Sequence, residues 1–185
     1  IVEVCRPFVP NEEKKNEMIL VDIHRPENFK YKERMEKIVE YANECHQKYN
    51  LPVKMLKFHG TCKALEEHQI DLGKIEMINL LSYKDYLRTI YHCKFIVSDS
   101  GTGQEEPAFF KTPVIVPRDF TERPQSVSSN CSYMLNVNPG QETNEESHQW
   151  LERVFKGEIG METEWLGSGE TSNLIIQELK SFLNK

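Results

Sequence analysis

KFIVSDSGTGQEEPAFFKTPVIVP, residues 94–117, decides the fold. An apolar run through Phe95, Ile96 and Val97 predicts a strand over KFIVSDS (94–100), which leads into a turn of Ser, Gly and Thr. GQEEPAFF then opens a helix, and a second apolar run, PVIVP at 113–117, closes the unit. Short apolar runs bounded by polar turns predict buried strands, and strand, helix, strand in succession predicts parallel neighbours joined by a right-handed crossover. The same order recurs towards the N-terminus: MILVDI (18–23) predicts a strand, and Met35, Ile38, Val39, Ala42, Cys45 and Tyr49 fall at helical spacing. PVKMLKF (52–58) and IEMIN (75–79) predict strands around a short polar helix at 62–69, and Tyr83, Tyr86, Leu87 and Ile90 line a further helix. On the C-terminal side, SYMLNV (132–137) predicts a last core strand. A polar stretch, NPGQETNEES, leads to a helix around Trp150, Leu151, Val154 and Phe155, and a final helix over 172–183 carries Leu174, Ile175, Leu179 and Phe182 on one face. The expected class is α/β, a doubly wound, mostly parallel sheet with helices on both faces, forming one domain over residues 1–185.

Composition agrees with that class. With 185 residues the chain has room for one ordinary domain, and 38% hydrophobic against 28% charged residues excludes disordered and fibrous classes. The formal charge of −6 repels a phosphate backbone, so no nucleic-acid partner is expected. Five cysteines, odd in number and without a CxxC pair, fit neither a disulfide framework nor a zinc ribbon, and point to a reducing cytoplasm. No HxxxH or HExxH spacing suggests a metal site, and no apolar run reaches the roughly 18 residues of a membrane helix. The missing initiator Met suggests a piece of a longer protein.

Doubly wound sheets bind ligands beyond the carboxyl ends of their strands, so HRPEN (24–28), FHGTCK (58–63), SDSGTGQEE (98–106) and PRDFTERP (117–124) are the segments to weigh. The second of the glycine-rich pair is followed by Gln104, Glu105 and Glu106 where a dinucleotide fingerprint needs its third small residue, and Ser98 and Thr102 stand where a hydrolase elbow needs glycines. Ser100, Gly101 and Thr102 suit an anion held by N–H groups and hydroxyls at a helix start; they equally suit a plain capped helix, and the segment alone leaves both open. Glu106 can accept the paired hydroxyls of a ribose. Arg123 can fork onto a phosphate or pair with Asp119 or Glu122 at the surface. His24, beyond the first strand, can donate to a phosphate or move a proton.

Together HRPEN, LSYKDYL, the stretch SDSGTGQEEPAFFKTPVIVPRDFTERPQSV (98–127) and the closing GSGETSNLI resemble the C-terminal half of the non-hydrolysing UDP-N-acetylglucosamine 2-epimerases. The resemblance implies one Rossmann-like half of a GT-B fold, with an N-terminal domain elsewhere, and a full-length homodimer. It makes His24 the active-site histidine near the diphosphate, Ser100, Gly101 and Thr102 the diphosphate turn, Glu106 the ribose acceptor, Arg123 a phosphate ligand and Tyr86 the aromatic wall against uracil. Arg25 and His59 fall where bacterial members touch a second, activating UDP-N-acetylglucosamine. Ligands are then UDP and a UDP-N-acetylhexosamine, with no cofactor and no metal. Departures are SGTGQEE for the family's SGGIQEE and HRPEN for HRREN. A 2-epimerase of a related 6-deoxy sugar nucleotide, a non-catalytic nucleotide-sugar-binding module and a glycosyltransferase of the same architecture stand as alternatives.

Overall fold

The structure, a computed structural model, describes residues 1–140 and 144–183. Its strands are β1 (Met18–Asp22), β2 (Val53–Leu56), β3 (Glu76–Ile78), β4 (Cys93–Ser98), β5 (Val114–Val116) and β6 (Ser132–Met134). They form a six-stranded sheet in the order β3-β2-β1-β4-β5-β6, and every one of these pairings is parallel, where the sequence predicted a mostly parallel sheet. The order runs outward one way from β1 and the other way from β4. The crevice between these two strands is therefore the topological switch point of a Rossmann-like sheet.

The two-residue period of the strands splits the core into two layers. Ile19, Val21, Phe95, Val97 and Ile115 face one side and pack with Met35 and Ile38 of α3 (Lys32–Tyr49) and Leu151 of α8 (Asn144–Phe155). Leu20, Ile96, Val114 and Val116 face the other and pack with Leu87 and Ile90 of α5 (Tyr83–His92). α3 runs where the apolar spacing predicts and stops at Asn50, whose left-handed φ of 50° closes the helix. α5 is capped by the Ser82 hydroxyl, which accepts from the Asp85 N–H.

Several boundaries differ from expectation for local reasons. The strand predicted to reach Phe58 ends at Leu56, because the Phe58 N–H turns back onto the Leu56 carbonyl. α4 (His59–Glu67) then begins three residues early and puts His59 at its first position. The strand predicted to reach Ser100 ends at Ser98, whose hydroxyl accepts from the Ser100 N–H. The predicted helix after it is a 3-10 turn over Thr102–Gln104 followed by the four-residue α6 (Glu106–Phe109). The last strand stops at Met134, although Leu135 and Val137 stay buried. The sequence pattern predicts no element over residues 1–8; there α1 (Val2–Cys5) forms, followed by a 3-10 turn over Arg6–Phe8. Part of the polar stretch before α8, residues 141–143, lies outside the described residues.

α9 (Thr171–Leu183) is held at its start, where the Ser172 N–H and hydroxyl donate to Glu3. Along its length Leu174, Ile175, Leu179 and Phe182 are more than half exposed. Among the described residues no helix is long and apolar enough to cross a membrane, and no group of three or more His, Cys, Asp or Glu side chains is placed to hold a metal.

One buried carboxylate fixes the loops at the switch point. Asp99, fully buried after β4, accepts from the N–H groups of His24 and Arg25 and from Asn28 Nδ2, each at 3.0 Å. Asn28, in α2 (Pro26–Phe29), donates also to the Pro117 carbonyl beyond β5 and accepts from Arg34 Nε. Asp99→Ala strands two backbone donors and one N–H of the Asn28 amide. It should lower unfolding free energy by about 3 kcal/mol, with Asp99→Asn losing less, as read by urea denaturation.

Candidate functional site

Above the β1/β4 crevice lies a cavity of about 450 Å³. His24, Ser100, Thr102 and Glu106 line it with Tyr86, so the structure brings together five of the residues singled out in the sequence. Asp22, Phe58, Leu81 and Tyr83 complete its working surface.

Asp22 explains how His24 is held. It ends β1 opposite Ser98 of β4, and it is 4% exposed. Its Oδ1 lies 3.0 Å from His24 Nδ1, and its Oδ2 accepts from the Tyr86 hydroxyl at 3.2 Å. A carboxylate accepts only, so Nδ1 carries the proton and Nε2 is left for a ligand. The contact with Asp22 raises the His24 pKa above its ordinary value; burial opposes the rise, while the charges of Asp22 and Asp99, the latter 3.7 Å away, add to it. The imidazole packs on Phe58 with ring centroids 4.9 Å apart and keeps 32% of its side chain exposed.

The turn after β4 supplies the second group. The Gln104 and Glu105 N–H groups close onto Gly101 and Thr102 carbonyls, and the Ser100 and Thr102 hydroxyls lie 3.3 Å apart. The N–H groups of Gly101 and Thr102 have no acceptor among the described residues. Four residues of α6 make little macrodipole, so any anion here is met by turn N–H groups and hydroxyls rather than by the helix start that the sequence predicts. The two glycines differ. A Cβ on Gly103 would lie 2.5 Å from Ser98 Oγ and 2.8 Å from Ser100 Cβ, so the fold requires glycine there. A Cβ on Gly101 would meet only Arg25 Nη2 at 3.7 Å, so the open face at Gly101 is free for a ligand's close approach.

Glu106 is 6% exposed and accepts from the Tyr83 hydroxyl at 2.9 Å. Burial pushes its carboxyl above the usual range, the Tyr83 hydrogen bond opposes this, and the charges of Asp22 and Glu105 add to the rise. Burial likewise raises the Tyr86 hydroxyl well above its ordinary value, with Asp22 adding to the effect, so this ring is a neutral wall whose hydroxyl is already used.

Arg123 is elsewhere. Its Nε pairs with Glu105, and it lines a separate hollow with Ile1, Glu122 and Trp165. Of the two predicted surface partners neither takes its guanidinium through a carboxylate: Asp119 pairs with Arg34, and Glu122 with the 3% exposed Arg118, which also holds Glu27. Arg25 sits beside the Gly101 turn, and its Nε is buried without a partner among the described residues. His59 is exposed at the start of α4, outside the cavity lining. Asp22, Asp99 and Tyr83 were not predicted. The signal for Asp22 lies in the alternation of extended chain, which turns residues 22 and 24 to one side; Asp99 and Tyr83 stand within SDSGTGQEE and LSYKDYL, where nothing in the sequence sets them apart from their neighbours.

The profile of the UDP-N-acetylglucosamine 2-epimerase family matches residues 5–180. The chain belongs to this family. The UDP-N-acetylglucosamine 2-epimerase of Methanocaldococcus jannaschii is 31% identical over 128 residues, 66% of this chain and 35% of its own length. That of Neisseria meningitidis is 28% identical over 186 residues, 96% of this chain and 47% of its own. The M. jannaschii epimerase solved in complex with UDP-GlcNAc and UDP superposes with a TM-score of 0.77 at 27% identity, over 97% of this chain and 49% of that one. The chain thus spans about half the length, or less, of the epimerases it matches, and the shared region is the Rossmann-like half of the GT-B arrangement.

Asp22→Asn should lower the His24 pKa, because the amide can no longer stabilise the imidazolium as a charged acceptor does. The measurement is a histidine NMR titration of parent and variant, with no downward shift counting against the dyad.

Proposed function

We propose that this chain is the nucleotide-binding half of a cytoplasmic UDP-N-acetylglucosamine 2-epimerase, which interconverts UDP-GlcNAc and UDP-ManNAc. Convergence of His24, Ser100, Thr102 and Glu106 on one cavity at the topological switch point carries the reading. Family membership and the likeness to an epimerase solved with UDP and UDP-GlcNAc support it. The free state of all five cysteines agrees with a reducing compartment.

In this reading the Gly101 and Thr102 N–H groups and the Ser100 and Thr102 hydroxyls receive the diphosphate. His24, as imidazolium, faces the same charge. Glu106, one oxygen held by Tyr83, offers its carboxylate to the ribose hydroxyls, and Tyr86 borders the uracil. Arg123 exchanges Glu105 for phosphate when the nucleotide arrives. Arg25 and His59 are the residues we assign to a second nucleotide sugar, Arg25 from beside the turn.

The reaction follows from what these groups can and cannot do. Expelling UDP to leave a 2-acetamidoglucal, then returning it with inverted C2, needs a cation to hold the departing diphosphate and a base at C2. His24 with its raised pKa suits the first role. Asp22 is bonded to His24 and Tyr86, and Glu106 to Tyr83, so we assign C2 proton transfer to the part of the epimerases that this chain does not span. The exposed apolar side of α9 is where we expect that part to pack.

Calorimetry tests the binding. UDP affinity should fall as pH rises through the raised His24 pKa, because the imidazolium is lost in that direction. Gly101→Ala should weaken UDP by about tenfold or more, roughly 1.4 kcal/mol, without lowering stability, since its Cβ meets open space. Equal UDP affinity in Gly101→Ala and parent would overturn the diphosphate assignment. The chain alone should bind UDP yet fail to exchange the C2 proton of UDP-N-acetylglucosamine in deuterated water. Exchange by this chain would place a base among its own residues.

A further inference from the structure

A second hollow opens at the opposite end of the sheet from the candidate site. Lys94 is the second residue of β4, and Lys14 and Lys111 lie on the approaches to β1 and β5, all lining a cavity of about 430 Å³. Lys94 and Asp99 are five positions apart along strand and turn, about 17 Å at the rise of a β-strand, so the two cavities do not merge. Phe155 and Met161 give the hollow an apolar wall, and among the described residues that line it there is no carboxylate. Glu158, between two lining residues, is placed against Arg153 Nε at 3.9 Å. Within a chain of net charge −6, this is a local excess of cations.

Lys14 is partly buried and hydrogen-bonded within the hollow. Its Nζ donates to the Lys111 carbonyl at 3.2 Å and to Thr112 Oγ1 at 2.7 Å, and Thr112 Oγ1 in turn donates to the Ile90 carbonyl, so both partners of the amine are acceptors. Two acceptors satisfy the two N–H bonds of a neutral amine and leave its lone pair for an electrophile. Lys94 Nζ lies 3.9 Å from the centre of the Phe155 ring, a contact that keeps a cation at the hollow's edge.

We propose that Lys14 is a covalent modification site that takes acyl groups from small acyl phosphates, with Lys94 and Lys111 drawing the donor's phosphate into the hollow. Burial supports this by pushing the Lys14 amine down to about 8, with the Cys93 thiol opposing and Lys94 adding to the fall. At pH 7.5 about a quarter of such an amine is unprotonated, against about one in a thousand for an ordinary lysine. In the step, Nζ attacks the acyl carbonyl carbon and the C–N bond forms. The C–O bond to phosphate breaks, its electron pair leaves with the phosphate oxygen, and the amine proton ends on that phosphate. The products are an amide and hydrogen phosphate, and no oxidant or reductant is needed. The amide nitrogen keeps one N–H, so one of the two contacts that hold the approach to β5 is lost. This site is independent of the nucleotide reading.

The test treats the folded chain with acetyl phosphate at pH 7.5 and follows each lysine by mass spectrometry. Lys14 should be acetylated about tenfold faster than the exposed Lys74 and Lys180, and the preference should vanish in urea, where the burial that depresses its pKa is gone. With Lys94 and Lys111 both changed to Gln, loss of the Lys94 charge raises the Lys14 pKa and slows both donors. The rate with acetyl phosphate should fall several-fold further than the rate with p-nitrophenyl acetate, a donor without phosphate, and an equal fall with both would overturn the capture of phosphate. Labelling of Lys14 no faster than Lys74 in the folded parent overturns the modification site. An undiminished rate with acetyl phosphate in the double variant overturns the capture of phosphate by the two lysines.

Discussion

The carboxylate of Asp99 organises everything at the carboxyl edge of the sheet. A parallel sheet sends each strand's end into a loop whose N–H groups have lost their ladder partners, and in the interior those donors must find acceptors. Asp99 accepts from two of them and from Asn28, which continues to the Pro117 carbonyl and to Arg34. Three strand ends are thereby tied together by two short side chains. The cost is a buried charge, visible in the upward push that burial gives its carboxyl, and the three donors offset it. HRPEN reads differently in this light: Asn28 braces, Glu27 holds Arg118, Pro26 starts α2, and His24 faces the cavity.

The cavity contains Asp22 and Glu106 in a chain of net charge −6, and still reads as an anion site. Distance decides this. The far charges are screened over about 8 to 10 Å at physiological salt, while two unit charges 4 Å apart near a protein surface interact by about 4 kcal/mol. Asp22 is opposed at 3.0 Å by His24, so the pair presents little net negative charge. Glu106 points its charge at Tyr83. What remains for a ligand at the turn is a set of N–H and hydroxyl donors with Arg25 nearby, and the local sign differs from the global one.

The fold was legible because its strands bury both faces: runs such as Phe95, Ile96 and Val97 carry the signal whichever layer each residue joins. Boundaries were less legible, since a single hydrogen bond such as Phe58 N–H to Leu56 ends a strand without changing composition. At the site, the residues of SDSGTG and His24 could be placed because strand ends are local features. Arg123 could not, because its partner Glu105 lies 18 residues away in sequence and the choice among Asp119, Glu122 and Glu105 is made by tertiary packing. Asp22 was hidden by its setting, a polar residue closing an apolar strand, where its burial becomes evident only once β4 pairs beside it.

The site's own chemistry sets how far this chain goes. A histidine whose pKa is raised keeps its proton to higher pH than a free imidazole, which suits it to a departing diphosphate more than to removing a proton from carbon. The two carboxylates that could serve as bases already accept hydrogen bonds from His24, Tyr86 and Tyr83, so their oxygens are engaged in the geometry that holds the cavity open. In the proposed reading, binding and proton abstraction make opposing demands on the same few groups, and assigning the first to this chain leaves the second to another surface. α9 has the means to hold such a surface: burying one large apolar side chain is worth about 1.5 to 3 kcal/mol, and Leu174, Ile175, Leu179 and Phe182 stand exposed together on one helix. The hollow around Arg123 includes Ile1, just before α1, and Trp165 and Leu166, ahead of α9, and α1 is tied to α9 through Glu3 and Ser172. A surface seated on α9 would therefore press on the walls around Arg123, coupling closure of the cleft to the arginine that this reading assigns to phosphate.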